Sequence, residues 1–336
     1  MNVREIKSIL LQTPEKIMEL LDIYGFNGVK NNVYEIRFGI GEGHNPNAVR
    51  ISLKNNPQLY VNDFVRALNT DVFAYIMDIR NVTFRDVILQ VKRLLNIENI
   101  ESTTERKKLF GGWIDKLGQT FKAQQEITVY SDGILNNYLD LYSRAFMDDG
   151  IDCDTQDIFN IRYDAVTQRI VFPIYTRYGE IMGVKGRANY VTEKDDPKYL
   201  YLVECPMRET LYGYSQNYRK LFGRDVYVFE AEKSVMQCYS FGCDQAVAVG
   251  CHSLSDDQAD MLFDLHPTNI YFMFDKGLDL ELTKKAIEKI AYKVRLIGTK
   301  IYYWNWHDSI LPDKSSPTDY GKEVFKNIID TQMIEY

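Results

Sequence analysis

The chain has 336 residues, enough for two or three compact units at roughly 100 to 200 residues each. Hydrophobic residues make up 45%, aromatics 13% and charged residues 26%, ordinary globular usage that argues against long disorder. No window nears the roughly 18 unbroken apolar residues of a membrane span, and the net charge of −7 excludes a uniformly basic surface, so any nucleic-acid site has to be a local basic groove or a metal site.

Met1 to Leu21 lacks the basic, apolar and small-residue order of a secretory signal. The five cysteines (Cys153, Cys205, Cys238, Cys243 and Cys251) are odd in number and confined to the second half. Both features predict an intracellular, cytoplasmic protein with reduced thiols and no membrane partner.

In chain order, an amphipathic helix is predicted over Glu15 to Tyr24. Short alternating segments follow at Val33 to Phe38, Val49 to Leu53 and Gln58 to Val61, separated by Gly, Asn and Pro that suit hairpin turns. Helices around Val72 to Met77 and Phe84 to Leu95 complete a small α+β unit over residues 1–97. The polar stretch 98–127 reads as a linker. From Thr128 a helical run, Ile134 to Met147, leads into strands at Ile170 to Tyr175, Ile181 to Val184 and Leu200 to Val203, giving a second unit over 128–225. Between Arg162 and Arg224 there are eleven Lys and Arg against seven Asp and Glu, so positive charge gathers here in an otherwise acidic chain.

Residues 226–336 have another rhythm. Four apolar runs, Val226 to Phe229, Ala246 to Val249, Ile270 to Phe274 and Lys300 to Trp304, alternate with helical stretches, the pattern of strands buried on both faces of a parallel sheet. Such sheets bind ligands beyond the carboxyl ends of their strands. Glu230 and Asp275 directly follow two of the runs, and Asp308, Asp313 and Asp319 follow the fourth. A single carboxylate at a strand end is ordinarily a helix cap or a solvated loop residue. Two on one sheet with a third cluster nearby suggest an oxygen-rich site for a hard cation such as magnesium. No G-x-G-x-x-G follows the first buried run, which argues against a dinucleotide-binding dehydrogenase.

The stretch from Val228 through Glu230-Ala231-Glu232-Lys233-Ser234, then Gly242 to Gly250, then Phe272-Met273-Phe274-Asp275, resembles the Toprim domain of DnaG-type primases. Upstream, Arg169-Ile170-Val171-Phe172-Pro173-Ile174, Gly179, Gly183, Gly186-Arg187, Pro197-Lys198-Tyr199-Leu200 and Leu211-Tyr212-Gly213 resemble further signatures of that family in the same order. The resemblance implies an α/β Toprim domain preceded by a basic α+β primase subdomain and a small N-terminal α+β module like a zinc ribbon. It implies synthesis of short RNA primers on single-stranded DNA from nucleoside triphosphates, with magnesium or manganese as cofactor and a replicative helicase as a possible partner in trans.

On this resemblance Glu230 and Asp275 are catalytic. Asp279, Asp313 and Asp319 join them as metal ligands, and Arg162, Arg169, Lys185, Arg187, Lys198 and Arg208 grip nucleotide and template. The chain departs from the family in three places. No cysteine precedes Cys153, so zinc is not expected, and His44 reads as a surface hairpin residue. The family's second Asp of Asp-x-Asp falls on Gly277, with Asp279 as a candidate substitute. Ala231 and Ser234 replace a Gly and an Asp, although viral primases resemble this Glu-x-Glu-Lys-Ser form, and no segment matches the helicase-binding tail. An alternative is a catalytically weakened relative that binds single-stranded nucleic acid or a replication partner. A Toprim nuclease shares the acidic rim but not the upstream signatures.

Overall fold

The computed structural model describes residues 3–32, 34–54, 56–97, 127–193, 196–251 and 253–336. The chain opens with two helices, Val3–Gln12 and Pro14–Ile23, where Pro14 takes the first helical position and its missing N–H breaks no intrahelical bond. The first of these helices is an addition to the sequence reading. Its buried face carries Lys7 among Val3, Ile6 and Leu10, and that charge interrupts the apolar stripe.

A five-stranded antiparallel meander follows: β1 (Asn27–Asn31), β2 (Glu35–Gly39), β3 (Val49–Ser52), β4 (Tyr60–Asp63) and β5 (Leu68–Asp71). Ile36 and Phe38 in β2, and Val49 and Ile51 in β3, alternate into the core as a one-sided sheet requires. The helices Val72–Arg80 and Phe84–Leu94 close the unit. Asp71 caps the first by accepting from the Ala74 amide at 2.6 Å, and Thr83 with Asp86 forms a capping box on the second. The linker expected over 98–127 falls, except for Ile127, outside the described residues.

The helix expected over Ile134 to Met147 is instead a 3-10 turn, Asp132–Asn137, an extended stretch and a short helix, Arg144–Asp148. Leu139 exchanges two backbone hydrogen bonds of 2.8 Å with Tyr163, and Ser143 caps the second helix, so the apolar spacing is overridden by a bridge and a cap. After the helix Cys153–Ile158, a four-stranded antiparallel sheet runs β6 (Arg162–Asp164), β7 (Arg169–Tyr175), β8 (Ile181–Ala188) and β9 (Tyr199–Val203).

The helix Tyr214–Leu221 then leads into the third sheet, in the order β11-β10-β12-β13-β14. Strands β10 (Val226–Phe229), β11 (Ala246–Ala248), β12 (Asn269–Phe272) and β13 (Lys300–Trp304) are parallel, joined through the helices Glu232–Ser240, Asp256–Asp264 and Leu280–Arg295. A last helix, Lys322–Thr331, turns back into β14 (Met333–Glu335), an antiparallel edge strand outside the sequence reading. All four apolar runs are strands of this sheet.

One apolar cluster extends from Val3 through the N-terminal unit to Tyr218, Leu262, Ile287 and Ile290, while a second packs Phe172, Tyr212, Phe229, Trp304 and Phe325 together. The parallel sheet is therefore covered on both faces, and the N-terminal unit shares a core with it. That junction also holds a fully buried ion pair, Lys7 Nζ to Asp71 Oδ2 at 2.7 Å, with the Tyr218 hydroxyl donating to the same oxygen at 2.7 Å.

Candidate active site

Glu230 follows β10 and Asp275 lies three residues beyond β12, two neighbouring parallel strands, so both sit at the carboxyl edge of the sheet. Asp319 arrives from the segment between β13 and the last helix. Burial first, then repulsion from Glu230 and Asp319, raises the Asp275 carboxyl to about 7, while Lys233 and Ser316 oppose the rise. Its Oδ1 is buried with no hydrogen-bond partner. Three carboxylates from distant parts of the chain thus feel one another at this rim.

Asp319 is held on both sides: Lys233 pairs with Oδ1 at 2.6 Å and the Ser316 amide donates to Oδ2 at 3.0 Å. Lys276 anchors the same segment, donating from Nζ to the Ser309 and Leu311 carbonyls at 2.8 and 2.6 Å and from its amide to the Ser315 carbonyl at 2.9 Å.

Asp313 is exposed and stands opposite Gly277, where an added Cβ would meet the Asp313 Cβ at 4.0 Å. Asp279 is also exposed and caps the helix Leu280–Arg295, accepting from the Glu281 amide at 3.0 Å. Its carboxylate is thus engaged at a helix start, whereas Asp313 flanks the position where the family carries its second Asp. Gly277 has φ +92°, a backbone that L side chains rarely adopt. Gly277→Asp is therefore expected to lower the melting temperature and leave activity no higher than in the parent, and a gain in both would refute this reading of the backbone.

Basic groups approach from the antiparallel sheet. Burial and repulsion from Arg187 and Lys233 lower the Lys198 ammonium below its usual range, opposed by Asp149 and Asp319. Lys198, Arg187 and Lys233 therefore form the cationic wall beside the carboxylates. Arg187 pairs with Asp149, and its guanidinium stands 5.4 Å from the Phe146 ring centroid. Lys185 pairs with the buried Glu232 at 2.7 Å and stands over the rings of Tyr199 and Tyr201.

The other expected contacts lie differently. Arg169 is 3% exposed, and its guanidinium bonds Asp196 at 2.7 Å and the Pro197 carbonyl at 2.9 Å, so it braces β7 against the segment before β9 and does not reach template. Arg162 pairs with Asp140 at 3.0 Å and lines a cavity of about 920 Å³ on the side of the helix Phe84–Leu94. Arg208 is exposed, and only its backbone carbonyl is engaged, by the Ser255 hydroxyl. His44 is exposed between β2 and β3. The side chain of Asp308 lies outside the described residues. Lys233, Ser316 and Asp149 were missed as site residues. Lys233 stands inside the quoted motif, three residues after Glu230, but the other two carry no local signal.

Oxygen donors short of positive charge, one of them a buried orphan, fit a hard divalent cation. Among the described residues no three His, Cys, Asp or Glu side chains form a ready-made metal cluster. Magnesium does not require one, because it keeps several waters and is commonly held by one or two carboxylates plus substrate phosphates. The raised Asp275 carboxyl also has a consequence for stability. A group whose folded value lies above its unfolded value of 3.8 binds more protons when folded, so its contribution turns unfavourable as pH rises from about 4 to about 7. Without divalent ions, Asp275→Asn is expected to melt above the parent at pH 8 and to lose that advantage toward pH 4. Parallel melting curves at all pH values would show that Asp275 is not crowded by like charge.

No family model matches the sequence. An SPbeta prophage-derived uncharacterized protein, YorJ of Bacillus subtilis, is 23% identical over 244 residues, covering 65% of this chain and 64% of that protein. The DNA primase of Deinococcus radiodurans is 30% identical over 145 residues, 41% of this chain and 25% of the primase. The structure of the zinc-binding and RNA polymerase domains of Aquifex aeolicus primase aligns with 98% of this chain and 86% of that one, at a TM-score of 0.50 and 15% identity. The chain is a divergent relative of DnaG-type primases. It has the primase-like fold of mixed α/β sheets, and it spans less than two thirds of YorJ and a quarter of the Deinococcus primase. Among the described residues no helix is long and apolar enough to cross a membrane.

Proposed function

We propose that this chain is a DNA-directed RNA primase whose residues 226–336 are a Toprim-type catalytic domain. It would join nucleoside triphosphates into short RNA primers on single-stranded DNA. The observation that carries this reading is the charge coupling of Glu230, Asp275 and Asp319 beside the cationic wall of Lys233, Lys198 and Arg187.

Asp275, Glu230 and Asp319 would hold magnesium or manganese, with Asp313 as a further oxygen donor beside Gly277. The ion supplies charge neutralisation at the transferring phosphoryl group and acidifies the attacking hydroxyl. Glu230 is placed to take the proton from that hydroxyl as it attacks. Lys198 and Arg187 would orient the triphosphate and the template strand, and the ring faces of Tyr199 and Tyr201 beside Lys185 offer a surface for base stacking. The N-terminal unit would act as a ribbon-like module without zinc, since the 152 residues before Cys153 contain no thiolate ligand. Metal analysis of the purified protein should find no stoichiometric zinc, and one tightly held zinc per chain would overturn that part. A replicative helicase is the partner expected in trans.

The test is incubation of the protein with single-stranded templates, labelled ribonucleoside triphosphates and magnesium or manganese. Divalent-dependent oligoribonucleotides support the proposal, and their absence across varied templates removes it. One observation favours a second reading, a weakened relative that binds single strands without making primers: Gly277 replaces a carboxylate, and no three-residue metal cluster is preformed among the described residues. Tight single-strand binding without product would select it.

A further inference from the structure

A chain of buried hydroxyls lies directly behind the carboxylates, and the proposed chemistry leaves it unused. Ser234 and Ser316 are hydrogen-bonded through their hydroxyls at 2.7 Å, Ser316 and Thr318 at 3.3 Å, and the Thr318 hydroxyl donates to Gln237 Oε1 at 2.7 Å. All four residues are at most 3% exposed. The chain continues at Gln237, whose Nε2 donates to the Asp149 carbonyl at 2.7 Å, and the Asp149 carboxylate pairs with Arg187.

This line joins three separate pieces of the molecule. Ser234 and Gln237 lie on the helix that follows Glu230, Ser316 and Thr318 on the segment that carries Asp319, and Asp149 on the turn that holds Arg187. The Ser316 amide fixes Asp319 at 3.0 Å, while its hydroxyl belongs to the buried line. A hydroxyl pair at 0% and 3% exposure gains little over an apolar contact in stability. It does constrain direction, because each partner left unpaired would be a buried polar group without water.

We infer that Ser234, Ser316, Thr318 and Gln237 form a positioning relay that holds the Asp319 segment against the helix after Glu230 and so sets the gap between the acidic rim and the Arg187 wall. The inference rests on the reading of the rim as a divalent-ion site, and it concerns how that site is kept in shape. The relay residues touch no substrate. They act through Asp319 on one side and Asp149 on the other.

Thr318 offers a clean comparison. Thr318→Val keeps the shape and removes the hydroxyl, whereas Thr318→Ser keeps the hydroxyl and removes a methyl group. Manganese binding to the full chain, followed by electron paramagnetic resonance of the free ion, is expected to weaken about tenfold in Thr318→Val and to stay within about twofold of the parent in Thr318→Ser. Ser316→Ala should behave like Thr318→Val, with circular dichroism of both variants confirming a folded chain at the assay temperature. If Thr318→Val binds manganese as the parent does, the relay proposal is overturned while the rim reading stands. If the parent itself binds no manganese, both fall. If binding follows the relay but no primers are made, the relay survives and the polymerase reading fails.

Discussion

Asp275→Asn and Glu230→Gln are each expected to reduce primer synthesis by about a thousandfold, with the protein still folded. The magnitude is that of removing one preorganised electrostatic contact from a transition state with concentrated charge. Asp275 provides the buried unpaired oxygen of the rim, and Glu230 is the largest like-charge influence upon it. Losing either removes a donor that water cannot replace in the same geometry. Asp279→Asn provides the contrast. Asparagine caps helices about as well as aspartate, and Asp279 is spent on the Glu281 amide, so activity should fall less than about threefold. Asp313→Asn should lie between, because that side chain stands beside Gly277 at the exposed side of the rim. Full activity in Asp275→Asn with loss in Asp279→Asn would reassign the site to the start of the helix Leu280–Arg295.

Lys7→Met should destabilise the chain by about 3–5 kcal/mol in denaturant unfolding. That is the usual cost of removing one partner from a buried pair and leaving the other charge uncompensated. Lys7 and Asp71 are both fully buried, and burial pushes the lysine below its ordinary value against the pull of Asp71. Gln58 accepts from Lys7 at 3.3 Å, and the Phe222 ring lies 4.3 Å from Nζ, so the ammonium is enclosed by the N-terminal unit and the sheet domain together. Adding Asp71→Asn to Lys7→Met should recover part of the loss, because it neutralises the stranded carboxylate and keeps a cap for Ala74. A change below about 1 kcal/mol in the single variant would mean that the N-terminal unit is not fastened there.

Much of the site was readable because two rules of α/β sheets are local. Strands buried on both faces appear as unbroken apolar runs, and ligand groups follow their carboxyl ends, so Glu230 and Asp275 could be assigned from short windows. What escaped depends on partners far along the chain. The helix Val3–Gln12 hides its amphipathic pattern because Lys7 sits on the buried face, and that charge makes sense only beside Asp71 and Tyr218. Arg169 has the look of a template contact in a basic segment, yet its donors are consumed by Asp196 and two backbone carbonyls some thirty residues away. Asp319 and Asp279 are alike in the sequence. One is drawn to the rim by Lys233 and Ser316, and the other is left capping a helix.

The most direct measurement is anomalous scattering from crystals of the full chain grown with manganese. The account predicts a peak in contact with Asp275 and with Glu230 or Asp319, on the side facing Lys198 and Arg187, and its loss in Asp275→Asn. A peak at Asp279 alone, or none within reach of Asp275 at saturating manganese, would contradict it.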